Sequence, residues 1–127
     1  MHKVLIVEDH ADFRQSLNSI LSSLFPFLTI AEADTGKAAL EQVQIFEPNL
    51  LFMDINLPDQ NGLVLTKVIK ASHANTTVII ITAYDLPEYR QAALEAGARY
   101  FIAKGSLNVE EILLMVESSL ADSSSPQ

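Results

Sequence analysis

Glu8, Asp9, Asp54, Thr82 and Lys104 are residue types that handle a phosphoryl group or the metal that accompanies one. Carboxylates bind hard cations and can act as nucleophiles. A hydroxyl and an ammonium neutralise the equatorial oxygens of a phosphoryl group in transfer. Each of these residues closes a short apolar run. Lys3-Val4-Leu5-Ile6-Val7 leads into Glu8-Asp9, Leu50-Leu51-Phe52-Met53 into Asp54, Val78-Ile79-Ile80-Ile81 into Thr82, and Tyr100-Phe101-Ile102-Ala103 into Lys104. Such runs, set between helical segments, read as buried strands of a parallel sheet covered on both faces. Ligands bind at the carboxyl ends of strands in sheets of this kind, so the acids, the hydroxyl and the ammonium converge on one edge.

Carboxylates at adjacent strand ends, about 5 Å apart, repel by roughly 3 kcal/mol at an effective dielectric of about 20. A proton or a cation relieves this, and one or two carboxylates with a backbone carbonyl and waters suit Mg²⁺. Glu8 and Asp9 could equally cap the first helix and Asp54 could face solvent, but Met53-Asp54-Ile55 is an apolar setting for a charge. Taken singly, Lys104 reads as a solvated strand end and Thr82 as a β-former. Together, each at the same end of a different run, they read as a site. Lys104 is also a counter-ion for Asp54 when no phosphate is present, and Ala83 is small enough to leave the aspartate accessible. His10 could be taken for a phosphohistidine or a metal ligand but reads better as a helix-start residue near the site, and His2 and His73 as surface residues.

The elements that must position these residues follow from periodicity. Phe13, Leu17, Ile20, Leu21 and Leu24 recur on one helical face. Leu28–Ala33 is a weaker strand, followed by a helix over Gly36 to Phe46 with Asp34 or Thr35 as cap. Pro48 breaks the chain, and Gly62 opens a helix with Leu65, Val68 and Ile69 as its stripe. Pro87 and Gly97 bracket the next helix, whose Tyr89, Ala92, Ala93 and Ala96 form a face of mostly small residues. Asn108 and Glu111 resemble a capping box ahead of Val109, Ile112, Leu113, Val116 and Leu120. Five strand–helix units with right-handed crossovers give a doubly wound α/β sandwich. Residues 1–121 make one domain, and residues 122–127 read as a linker or disordered tail.

A chain of 127 residues buries enough surface to fold without a metal or disulfide staple. The absence of cysteine excludes a disulfide framework and thiol catalysis and fits a reducing compartment. A net charge of -8 makes direct nucleic-acid binding a poor reading, and no apolar stretch reaches transmembrane length.

At four places the chain resembles the receiver domain of two-component response regulators, over residues 2 to 121. These are Leu5-Ile6-Val7-Glu8-Asp9, Met53-Asp54-Ile55-Asn56-Leu57-Pro58 with Gly62, Ile81-Thr82-Ala83, and Gly97-Ala98 leading to Lys104. The resemblance implies a flavodoxin-like fold with strand order 2-1-3-4-5 and five helices. It implies that Asp54 accepts a phosphoryl group from a phosphohistidine on a sensor histidine kinase or phosphotransfer protein. Glu8, Asp9, Asp54 and the backbone carbonyl of Asn56 would hold Mg²⁺. Thr82, Ala83 and Lys104 would bind the phosphoryl oxygens, and Thr82 with Phe101 would form the switch that repacks the face of helix four, strand five and helix five. A cytoplasmic protein is implied, an intracellular signalling switch rather than a turnover enzyme, with homodimer formation on phosphorylation as one response.

Phe101 stands where tyrosine is common in that family, so the hydroxyl is missing. Lys104-Gly105-Ser106, with Asp9-His10, is similar to the subgroup that carries a C-terminal helix-turn-helix, which points to an output domain beyond Gln127. A flavin module would need a glycine- and hydroxyl-rich first loop, and Glu8-Asp9-His10-Ala11-Asp12 would repel its phosphate. An aspartate-nucleophile phosphatase usually has a second acid two residues on, where this chain has Asn56. A receiver kept only as a docking surface is opposed by the complete set of site residues.

Overall fold

The computed structural model describes residues 2–124. Strands β1 (Lys3–Val7), β2 (Thr29–Ala33), β3 (Leu50–Asp54), β4 (Thr77–Thr82) and β5 (Tyr100–Ala103) form one parallel sheet in the order β2-β1-β3-β4-β5. They alternate with α1 (Ala11–Leu24), α2 (Gly36–Phe46), α3 (Gly62–Ser72), α4 (Pro87–Ala96) and α5 (Val109–Ser124); a 3₁₀ turn over Lys104–Ser106 follows β5. The expected five-stranded, doubly wound, flavodoxin-like sandwich is thus the observed one.

Alternation along the strands divides the core in two. Leu5, Val7, Leu51, Met53, Val78 and Ile80 point to the face covered by α2, α3 and α4. Val4, Ile6, Leu50, Phe52, Ile79 and Ile81 point to the face covered by α1 and α5. The central strands are buried on both sides, which is why they read as continuous apolar runs rather than alternating ones.

The helix boundaries have local causes. Thr35 caps α2 by accepting the Ala38 N–H at 3.0 Å, and Asn61 caps α3 by accepting the Leu63 N–H at 2.7 Å. Gly97 ends α4 at φ 103, a left-handed conformation that glycine adopts without penalty. Asn108 accepts the Glu111 N–H at 2.9 Å, but Glu111 returns to the Asn108 side-chain amide, so only half of a capping box forms.

Several expectations are corrected. Val68 and Val109 lie 50% and 49% exposed, because the helices turn them off the sheet. On α3 the inward position beside Leu65 belongs to Thr66, which is tolerated there because its hydroxyl donates to the Gly62 carbonyl at 2.8 Å. His2 is half-buried, its ring edge-on to Phe27 at 5.8 Å. Helix α5 runs through Ser124, three residues past the expected boundary, since extending an existing helix adds a hydrogen bond for each residue ordered. The remainder of the expected tail, residues 125–127, lies outside the described residues.

Gly62 is the tightest point near the strand ends. A Cβ there would stand 2.0 Å from the carbonyl oxygen of Asp54, and the Gly62 N–H donates to Ile55 O at 2.7 Å. Gly105 has nothing within 4 Å of such a position. Gly62→Ala should therefore destabilise the fold by at least about 3 kcal/mol, at or above the upper end of ordinary overpacking costs. Gly105→Ala should change stability by no more than about 0.5 kcal/mol. Urea midpoints of the two variants against the parent check this, and equal midpoints would contradict it.

Candidate functional site

Parallel pairing places the last residues of β1, β3, β4 and β5 at one edge. Val7 is in register with Met53, Asp54 with Ile81, and Thr82 with Ala103. The chain continues from these ends into Glu8, Asp9 and Lys104, and so brings them around Asp54. Glu8 is fully buried and Asp54 is 2% exposed. Lys104 Nζ lies 2.5 Å from Glu8 Oε1, in ion contact but outside hydrogen-bond alignment, and 3.4 Å from Asp54 Oδ2. The same ammonium sits 4.9 Å above the Phe13 ring, which shields one side of it.

Burial first, and then the neighbouring Glu8 carboxylate, push Asp54 from its ordinary 3.8 to about 7, against the pull of Lys104. Burial also raises Glu8, but the Lys104 ammonium and the His10 N–H outweigh it, leaving Glu8 below its usual range. The buried pair therefore holds its proton mainly on Asp54.

The donor set fits a hard divalent cation. One ligand atom each from Glu8, Asp9, His10 and Asp54 lie within 4.8 Å of one another. Asp9 Oδ1 is buried without a hydrogen-bond partner, a lone pair that a cation would satisfy, while Glu8 Oε1 faces the Lys104 ammonium.

Thr82 is buried on the neighbouring strand, and its hydroxyl accepts the Tyr84 N–H at 3.1 Å. Among the described residues it makes no hydrogen bond to Asp54 or Lys104. Ala83, next along, is exposed. Asn56 follows β3, its N–H 3.4 Å from Asp54 Oδ1. Phe101 stands apart from the carboxylates. Its ring packs half-buried with the α4 side of the core, under the Arg90 guanidinium at 4.8 Å, and Arg90 in turn holds Asp85 at 2.6 and 3.0 Å.

Three residues escaped the sequence reading. Arg14 is tied to Glu8 O at 2.7 Å and Glu32 Oε1 at 2.9 Å, and so fixes the end of β1. Asp59 accepts the Gly36 and Lys37 N–H groups at 2.7 and 3.0 Å, joining the loop after β3 to the start of α2. His10, read as a helix-start residue, does stand at the N-cap of α1, but its ring turns back over Glu8 and Asp9. Only Asp9-His10 adjacency signalled the last of these, and no local pattern signalled the other two.

Comparison with known proteins agrees with the geometry. The sequence profile described as "Response regulator receiver domain" matches residues 4–117. The chain belongs to this family. The receiver domain is 35% identical over 104 residues to the transcriptional regulatory protein YdfI of Bacillus subtilis, covering 82% of this chain and 48% of that one. It is 33% identical to the oxygen regulatory protein NreC of Staphylococcus haemolyticus, covering 91% and 54%. The receiver domain thus spans about half the length of these curated relatives. Among solved structures, a CheY-like receiver domain protein from Methanospirillum hungatei superposes with a TM-score of 0.88 at 27% identity, covering 97% of this chain and 96% of that one. The receiver domain of the response regulator NarL from Mycobacterium tuberculosis gives 0.84 at 28%, covering 98% of each. No described helix is long and apolar enough to cross a membrane.

Because Asp54 is raised on folding, the folded metal-free domain holds a proton that the unfolded chain has lost above pH 3.8. The stabilisation that this proton represents is full below pH 3.8 and lost as pH rises to about 7. Its upper bound is about 4 kcal/mol, at roughly 1.4 kcal/mol per pH unit, and the opposite displacement of Glu8 returns part of it. Metal-free protein should therefore melt at lower temperature at pH 8 than at pH 5.5, and Asp54→Asn should flatten the difference. Thermal melts in the presence of a chelator check this; an equally steep pH dependence in Asp54→Asn would contradict it.

Proposed function

We propose that this receiver domain is a phosphorylation-controlled switch that takes a phosphoryl group on Asp54 from the phosphohistidine of a sensor histidine kinase or phosphotransfer protein. The observation that carries this reading is a buried carboxylate at the strand edge, beside Glu8 and 3.4 Å from the Lys104 ammonium. In it, an Asp54 oxygen attacks phosphorus, the histidine nitrogen leaves, and an acyl phosphate forms. Glu8, Asp9, Asp54 and the Asn56 backbone carbonyl would hold Mg²⁺, which when bound supplies positive charge to the phosphoryl oxygens.

Lys104 is already within reach of Asp54 and meets the second charge of the phosphoryl group. Thr82 exchanges its bond with the Tyr84 N–H for one to a phosphoryl oxygen, and the Ala83 N–H lies next to it for the same purpose. That movement opens space behind Thr82, and Phe101 turns inward from its half-buried position. Phosphorylation acts only by the energy difference it makes between two packings, and the face of α4, β5 and α5 carries the difference to partners. The product is a conformational state with self-catalysed uptake and hydrolysis, not a released molecule.

The half-length coverage of YdfI and NreC supports a natural protein with a C-terminal output domain, a cytoplasmic transcription regulator in this reading. A solved DNA-binding response regulator of the LuxR family from Staphylococcus aureus, matched at 25% identity and a TM-score of 0.85, agrees with it. Homodimer formation on phosphorylation would suit such an output.

Incubation with a small acyl-phosphate donor and Mg²⁺ should add the mass of one phosphoryl group. Asp54→Ala, with an unchanged circular-dichroism spectrum, should add none; labelling of that variant at the parent rate would overturn the assignment. Lys104→Ala should still label, but amide exchange across α4, β5 and α5 should no longer respond to labelling. A full exchange response in Lys104→Ala would remove Lys104 from the switch.

A further inference from the structure

The His10 imidazole leans over the acids, with Nδ1 3.1 Å from Glu8 Oε2 and 3.4 Å from Asp9 Oδ1. Donor atoms that share one ion through bonds of about 2.0–2.2 Å stand roughly 2.9–3.5 Å apart, so these separations suit neighbours in a coordination shell. Beneath the ring, Glu8 is fully buried with its Oε1 held by the Lys104 ammonium, and Asp9 Oδ1 has no hydrogen-bond partner. The ring itself is 71% exposed, so Nδ1 can trade its contact with Glu8 for an ion without disturbing the core.

We propose that His10 is a nitrogen ligand of this cluster and gives it a second specificity, for a borderline transition ion such as Zn²⁺ or Co²⁺. This rests on the reading of Glu8, Asp9 and Asp54 as a metal site. Imidazole suits Zn²⁺ and Co²⁺, whose affinity for mixed nitrogen and oxygen donors exceeds that of harder ions. Mg²⁺ prefers oxygen and keeps several waters, so it leaves His10 aside. Glu8, Asp9, His10 and Asp54 offer four donors within 4.8 Å of one another, which Zn²⁺ or Co²⁺ would draw together. Such an ion engages the Asp54 carboxylate and competes with phosphoryl uptake, whereas hydrated Mg²⁺ leaves room for it.

The test is direct titration of the parent chain, His10→Gln and His10→Ala with ZnCl₂, CoCl₂ and MgCl₂ by calorimetry, with visible absorption of the Co²⁺ forms. Glutamine keeps a side-chain donor for Glu8 while removing the imidazole, so it separates ligation from simple orientation of the carboxylate. Loss of an imidazole ligand should weaken Zn²⁺ and Co²⁺ by at least about tenfold in both variants, the lower end of what even a supporting residue costs. The Co²⁺ bands should weaken in parallel, and Mg²⁺ affinity should stay within about twofold of the parent. Unchanged Zn²⁺ affinity and Co²⁺ spectrum in His10→Gln would overturn the proposal and leave the Mg²⁺ site standing. A parallel loss of Zn²⁺ and Mg²⁺ affinity would overturn it too, by showing that His10 acts on Glu8 and not on the ion. Failure of the parent chain to bind any of the three would overturn the metal site itself, and this inference with it.

Discussion

Glu8 and Asp54 are buried side by side with one ammonium, Lys104, between them and too little positive charge to satisfy both. Removing a charge from water costs several kcal/mol, and a second like charge beside it adds to that cost. The remaining compensation has to be a proton or a cation. The fold holds this unfavourable pair in place through the sheet, whose buried central strands leave their ends little freedom. Arg14 binds the Glu8 carbonyl from one side, and Gly62 presses its backbone against that of Asp54 from the other.

That constraint also accounts for the role of α3. Its first residue lies so close to β3 that a methyl group would not fit, and the helix start is thereby fixed relative to the Asp54 carboxylate. The result is a rigid platform under Asp54, built from backbone contacts that do not depend on side-chain rotamers.

The fold was almost wholly legible in the sequence, because it rests on long apolar runs and on breakers such as Pro87 and Gly97 that act locally. The residues gathered at the site were legible for the same reason: each ends a strand, and parallel pairing turns similar positions along the chain into neighbours in space. Val68 and Val109 were misread because an apolar residue next to a stripe looks like part of it until the phase of the helix is known. Thr66 was passed over because a polar residue is acceptable in the core only when its hydroxyl has a partner, and that partner is a carbonyl one turn back. Arg14 and Asp59 reach across 18 and 23 residues of sequence, respectively, and no periodicity encodes such pairings. The His10 ring depends on a rotamer, which spacing along the chain does not reveal.

The two loops that flank Asp54 are secured very unequally. The loop after β3 is closed by the Asn56–Asn61 bridge, the Gly62 bond to Ile55 and the paired Asp59 bonds to the start of α2. The loop after β4 has four consecutive exposed residues, Ala83 to Leu86, held by the Tyr84 N–H to Thr82, the solvent-facing Arg90–Asp85 pair and, at its far end, the Leu86 carbonyl that starts α4. Segments with few buried bonds open at the lowest free energy. The pocket is therefore mechanically anisotropic, with a stiff wall toward α2 and a compliant one toward α4. Extra volume or charge introduced between them is relieved on the compliant side, so the direction of that relief is already set by where the hydrogen bonds are sparse.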